Sequence, residues 1–350
     1  MQGTSAQLRD VRAVHSFDED RLAVWLAANV EGAEGKLEVQ QIAGGASNPT
    51  FFLNVSHGGE SKRFVMRKKP PGELLASAHQ VDREFRAMKA LAQTNVPVPN
   101  VRALCEDPEV IGTAFYVMDF LDGRIFRDPT LPGVAPAERA AIYDDLNATL
   151  AKLHQVDWQG IGLGDYGRPG NYFERQIARF TRLYRGAESE HIPAMEELIR
   201  LLPTMIPPDD SVSIAHGDYR LENVMFHKTE PRLIAVLDWE LSTIGHPLAD
   251  LAYNCFFWHA PSSGWEKLTP EERAGIPTEQ DYVDAYRQRT GRGEIAGWNF
   301  YLAFAVFRLA SISQGVYARA LSGTTPTEFS TVNGAPPLAD ISLFLLRRPS

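Results

Sequence analysis

The stretch His216-Gly217-Asp218-Tyr219-Arg220-Leu221-Glu222-Asn223 is followed fifteen residues later by Asp238, at the end of the apolar run Leu233-Ile234-Ala235-Val236-Leu237. It places three oxygen-bearing side chains at fixed spacing, Asp218, Asn223 and Asp238, with no soft ligand among them. Such a set suits a hard cation such as Mg2+, which is held by a few carboxylate or amide oxygens together with substrate phosphates. A carboxylate emerging from a buried strand is costly unless it is paired or binds metal. Alone, Asp238 reads as a strand end reaching solvent. With Asp218 and Asn223 it reads as a metal ligand.

The Asp-x-x-x-x-Asn spacing is that of a kinase catalytic loop, in which the Asp receives the substrate hydroxyl proton and the Asn holds metal. Phosphoryl transfer is therefore the expectation to test. Arg220 either meets the transferred phosphate or is a solvated loop residue. His216 reads as a hydrogen-bonding support of the loop rather than a titrating group.

A second cluster lies upstream. Three short apolar runs, Leu37–Ile42, Phe51–Val55 and Phe64–Met66, are separated by turn-forming stretches and predict an antiparallel meander. The first gap holds Gly44-Gly45-Ala46-Ser47-Asn48, where a phosphate-covering loop would lie, although a plain hairpin turn explains it equally. Residues 81–92 predict a helix. At about 100° per residue, Glu84 falls on its apolar face among Val81, Phe85 and Met88. A buried Glu needs a partner, and the preceding strand offers Arg67, with Lys68 and Lys69 just after it. By spacing, Arg67 is the candidate for the basic residue that pairs with a helix Glu and touches nucleotide phosphates in a kinase-type lobe, a partly exposed Glu84 with a local partner being the alternative.

The bulk properties fit two lobes. The 350 residues are long for one core, and 44% hydrophobic with 23% charged content is ordinary for a globular chain. The net charge of −9 argues against a nucleic-acid partner. Cys105 and Cys255 lie far apart and form no CxxC pair, so free thiols in a reducing cytosol are expected, and with them a cytoplasmic location. No apolar leader opens the chain, and Trp298–Ala310, the most apolar segment, carries Arg308 and is too short to span a bilayer; no membrane partner is expected. No Walker A, HExxH or GxSxG sequence occurs, which disfavours P-loop, metalloprotease and α/β-hydrolase chemistry.

The expected fold is α+β and bilobal. A β-rich N-lobe spans 1–118, a connector 119–124, and a mostly helical C-lobe 125–350. Helices are expected at 18–30, 136–155, 171–185, 191–202, 247–258, 279–290, 298–320 and 338–347, further strands near 102–105, 114–118, 212–215, 224–226 and 233–237, and a loop over 322–337.

HGDYRLENVMF (216–226), IAVLDWE (234–240) and GHPLADLAY (245–253) make the chain resemble the aminoglycoside phosphotransferase and choline kinase-like family, which shares the protein-kinase fold. The resemblance implies Asp218 as the catalytic Asp, Asn223 and Asp238 as Mg2+ ligands, and Arg67 and Glu84 as the phosphate-anchoring pair for ATP. It implies Gly45, Ser47 and Asn48 over the nucleotide, Tyr116 to Phe120, including Met118, as the hinge against adenine, and Asp250 as a structural Asp. Arg308 and Glu240 are candidate acceptor-binding residues, with a core-facing or merely solvated Arg308 as the alternative. The run 67–85 resembles the kinase domain fused to certain acyl-CoA dehydrogenases, whose animal members are implicated in phosphorylating hydroxyacyl-CoA. Two departures stand out: Arg67 replaces the usual Lys, and Trp239-Glu240 replaces Phe-Gly after Asp238. Both are common in this branch, and together they weigh against ordinary protein-kinase switching. A hydroxyacyl-CoA-like acceptor, an aminoglycoside acceptor and a nucleotide-binding pseudokinase are the competing readings. A polycationic acceptor calls for an acidic pocket, yet residues 270–350 hold eight acidic and eight basic side chains.

Overall fold

The computed structural model describes residues 8–43, 48–70, 80–260, 264–322 and 332–349. The chain opens with strand β1 (Leu8–Arg9) and helix α1 (Glu19–Asn29), then runs β2 (Lys36–Ile42), β3 (Thr50–His57), β4 (Glu60–Lys68), α2 (Val81–Leu91), β5 (Val101–Cys105), α3 (Pro108–Ile111), β6 (Phe115–Asp119), β7 (Gly123–Arg124) and α4 (Pro136–His154). There follow α5 (Tyr172–Gly186), α6 (Pro193–Leu201), β8 (Ser213–Ala215), β9 (Val224–His227), β10 (Leu233–Val236), β11 (Thr243–Gly245), α7 (Pro247–Cys255), α8 (Pro270–Arg273), α9 (Glu279–Thr290), α10 (Trp298–Leu321) and α11 (Ala335–Arg347).

Residues 1–149, 159–163 and 221–242 group into one compact unit; 150–158, 164–220 and 243–350 group into a second. In the first unit an antiparallel sheet runs β1-β2-β3-β4-β6-β5. Gly58 and Gly59, both at positive φ, close the β3–β4 hairpin in the left-handed geometry that two-residue hairpin turns require. Asp18 caps α1, accepting from the Arg21 N–H at 2.9 Å. Leu22 and Leu26 of α1 pack with Phe51, Leu53, Phe64, Met66 and Phe115 in one buried cluster. Helix α2 packs on β5 and β6. A second sheet, β10-β9-β7, belongs to the same unit. It is tied there by Val236 N–H to Pro97 O at 2.8 Å and Leu233 N–H to Asp145 Oδ2 at 2.6 Å.

This grouping differs from a cut at 119–124. Asp119 completes β6, Gly123-Arg124 pairs with Phe226-His227, and residues 221–242 therefore travel with the N-terminal sheet.

In the second unit β8 pairs with β11, and α10 packs against α5, α7 and α11. Helix α10 runs to Leu321, so its 24 residues are long enough to cross a bilayer, against the expectation from the shorter apolar run. It is nonetheless a core helix: 72% of its most apolar window is buried inside the protein. Helix α11 begins at Ala335, which corrects the end of the expected 322–337 loop; residues 323–331 lie outside the described residues.

Candidate active site

Strand alternation decides which basic residue faces α2. Met66 is fully buried in the α1-side cluster, so Arg67 faces the opposite way. Lys68 returns to the first face, where its ammonium lies 5.2 Å from the Phe17 ring and burial lowers its pKa. Arg67 Nη1 lies 3.0 Å from Glu84 Oε2, and Nη2 lies 2.9 Å from Asp238 Oδ1. Burial works against the Arg67 charge, but Glu84, Tyr116 and Asp238 hold its pKa above the ordinary value.

Glu84 is fully buried, as the helical arithmetic requires. Its carboxylate accepts from Asn48 Nδ2 at 2.7 Å and from the Tyr116 hydroxyl at 3.0 Å. Burial pushes the Glu84 carboxyl up, with the Arg67 charge opposing. Glu240 places Oε2 3.9 Å from Arg67. Expected as an acceptor-binding residue, Glu240 thus stands beside the Arg67–Glu84 pair.

Asp238 has φ of +62, a left-handed backbone that a non-glycine residue rarely adopts and that clusters at functional sites. The following Trp239 is fully buried and donates its indole N–H to Val236 O at 2.9 Å. Leu237 N–H bonds Asn223 O at 2.8 Å, which ties the two expected metal ligands through the backbone. Both line a cavity of about 330 Å³ whose wall also includes Asn48, Arg67, Met118 and Phe120. Hard oxygen donors on one cavity wall fit Mg2+. The Phe120 N–H is already bonded to Arg63 O at 3.2 Å, and the Arg63 guanidinium stands 4.7 Å from the Phe120 ring. Phe120 therefore offers its ring, not its N–H, to a ligand. Gly45 and Ser47 lie outside the described residues.

In the second unit Asp250, at the first turn of α7, holds the loop that carries Asp218. It accepts from the His216 N–H at 2.5 Å and the Gly217 N–H at 2.8 Å, and His154 Nε2 lies 3.4 Å away. Burial alone would raise its pKa; the His154 hydrogen bond, His216 and Gly217 keep it below the ordinary value. Gly217 sits at φ +83, a conformation that favours glycine. His216 Nδ1 accepts from the Asp218 N–H at 3.2 Å, a loop-supporting role.

Asp218 Oδ1 accepts from the Tyr253 hydroxyl at 2.5 Å and has Arg220 Nε 3.5 Å away. Arg220 is half exposed. Arg308 is buried, and its guanidinium donates to Gly217 O. The core-facing alternative for Arg308 is the one observed, because a buried guanidinium needs an acceptor and the loop carbonyl supplies it.

The sequence reading places Tyr116 in the hinge rather than on Glu84, and it does not single out Tyr253. Their signal is faint: each is a Tyr on an apolar face, and a buried hydroxyl usually finds a partner.

A model of the phosphotransferase enzyme family matches residues 38–299. The mouse acyl-CoA dehydrogenase family member 10 is 43% identical over 93% of this chain and 31% of its own length. The chain spans less than half the length of the curated relatives it matches here. A provisionally assigned aminoglycoside phosphotransferase from Ralstonia eutropha JMP134 is 48% identical, with TM-score 0.84 over 95% of this chain and 99% of that one. The aminoglycoside phosphotransferase APH(4)-Ia, solved with AMP-PNP and hygromycin B, shares the fold at 15% identity and TM-score 0.59, over 89% of this chain and 94% of its own. The chain belongs to the phosphotransferase enzyme family.

Proposed function

We propose that this protein transfers the γ-phosphoryl group of ATP to a hydroxyl of a small molecule. The observation that carries the reading is the buried Arg67–Glu84 pair, with Asp238 on the same guanidinium, at the wall of a cavity that Asn223 also lines. Arg67 would hold the α/β-phosphates while Glu84 keeps its guanidinium in place. Asn223 and Asp238 would hold Mg2+, which when bound neutralises charge on the phosphates. Asp218 would orient the acceptor hydroxyl and take its proton, a role worth about 10²–10⁴ in rate.

For the acceptor we favour an anionic, hydroxyacyl-CoA-like metabolite. Relatives named acyl-CoA dehydrogenase family members, 42–43% identical over more than nine-tenths of this chain, support that reading. The naming of the Ralstonia structure favours an aminoglycoside instead. Buried, free Cys105 and Cys255 are the basis for proposing a reducing, cytoplasmic setting.

The test is ADP release with hydroxyacyl-CoA thioesters, choline, sugars and aminoglycosides as acceptors. Asp218→Asn is expected to lose about 10²–10⁴ in kcat while Mg·ATP still raises the melting temperature. Unchanged turnover in that variant would overturn the mechanism.

A further inference from the structure

Helices α7 and α10 send Tyr253 and Arg308 to the loop that carries Asp218, and Phe180 of α5 stands beside the Arg308 guanidinium. We propose that Tyr253 and Arg308 are positioning residues that fix the Asp218 carboxylate for proton transfer, an inference that rests on the proposed role of Asp218.

Tyr253 acts on the side chain. Its hydroxyl donates to Oδ1 at 2.5 Å, and Arg220 Nε approaches the same oxygen. A carboxylate turns easily about its last torsion. The Tyr253 hydrogen bond, with the Arg220 charge beside the same oxygen, sets the plane in which the carboxylate stands. Burial, then the Asp218 charge, pushes the Tyr253 pKa up, so the phenol remains a donor. Phenylalanine would fill nearly the same space, so packing does not account for the hydroxyl.

Arg308 acts on the backbone. It donates to Gly217 O, while Asp250 Oδ1 accepts from the Gly217 N–H at 2.8 Å. The residue before Asp218 is therefore held at both of its polar groups, in a left-handed conformation. The Arg308 guanidinium also stands 5.2 Å from the Tyr253 ring and 5.7 Å from the Phe180 ring. One planar cation thus braces the loop and the tyrosine that reads its carboxylate. Lysine, a point charge without a stacking face, does not combine these contacts.

The experiment uses the full chain as wild type, Tyr253→Phe, Arg308→Lys, Asp218→Asn and the Tyr253→Phe/Asp218→Asn pair. Tyr253→Phe is expected to lower kcat by about 10- to 100-fold, the range for a hydrogen bond to a charged group. Its KM for Mg·ATP is expected to stay within about twofold, since nucleotide binding keeps its own residues. Arg308→Lys is expected to lower kcat in the same pattern. The double variant is expected to be no slower than Asp218→Asn, because Tyr253 acts through Asp218. A full kcat in Tyr253→Phe, or a multiplicative loss in the double variant, overturns the proposal. Crystal structures of wild type and Tyr253→Phe give a readout free of turnover. The Asp218 carboxylate is expected to rotate in the variant; an unmoved carboxylate overturns the proposal. A wild type that phosphorylates no acceptor defeats the functional reading, and the crystallographic comparison still decides this one.

Discussion

The two units hold their polar centres by different means. In the first, one guanidinium faces three carboxylates, Glu84, Asp238 and Glu240. In the second, one carboxylate, Asp250, gathers the backbone N–H groups of His216 and Gly217. The first is a set of exchangeable charges, in which an incoming anion or cation can replace a resident partner. The second is a fixed frame, because backbone donors have nowhere else to go once buried. On the proposed function, ligand binding falls to the exchangeable partners and proton acceptance to the fixed frame.

This contrast predicts a ranking of effects. Asp250→Ala strands two buried N–H groups and His154, and is expected to cost about 3–5 kcal/mol in chemical denaturation. A loss near zero would mean that the loop does not depend on Asp250.

Acid is expected to come next. His246 Nδ1 accepts from the Leu248 N–H at 3.2 Å, with Nε2 3.2 Å from Asp209 O, an arrangement for a neutral ring. Burial depresses its pKa from 6.5 to about 4 against the opposing Asp209 charge. The unfolded chain therefore binds the proton first. This contribution is complete above pH 6.5 and is lost as pH falls toward 4, about 3 kcal/mol in all. Denaturation midpoints across that window measure it, and a His246→Asn variant should show a flatter profile.

Glu84→Gln is expected to cost about 2 kcal/mol, the scale of a charge-assisted hydrogen bond, and to raise the KM for nucleotide. If it destabilised the protein more than Asp250→Ala, the contrast between the units would be reversed. Tyr116→Phe removes one of several donors to Glu84 and should cost about 1 kcal/mol, read as a small fall in melting temperature.

What the sequence revealed follows from how local each signal is. Glu84 is legible because helical spacing sets its face, and Arg67 because its spacing puts it on the strand that precedes that helix. Asp218, Asn223 and Asp238 are legible because their spacing reports a loop and a strand end. The pairing of Gly123-Arg124 with β9 is not, since two residues carry no periodicity and their partner lies about a hundred positions away. Arg308 shows the same limit. An arginine in an apolar helix announces that it needs an acceptor, but only the packed helices reveal that the acceptor is Gly217 O. The Tyr116 and Tyr253 hydroxyls are not legible either, because the carboxylates that accept from them, Glu84 and Asp218, lie 32 and 35 positions away.

The buried Trp239 has a pharmacological consequence. A ligand that needed the space behind Asp238 would have to swing Trp239 out. Here that swing would break the indole bond to Val236 and expose roughly 150–250 Å² of apolar ring, a cost of about 4–6 kcal/mol before any contact with the drug. Compounds of that type are expected to leave the melting temperature unmoved, and selective ligands will have to compete for the cavity beside Arg67 in the shape it already has.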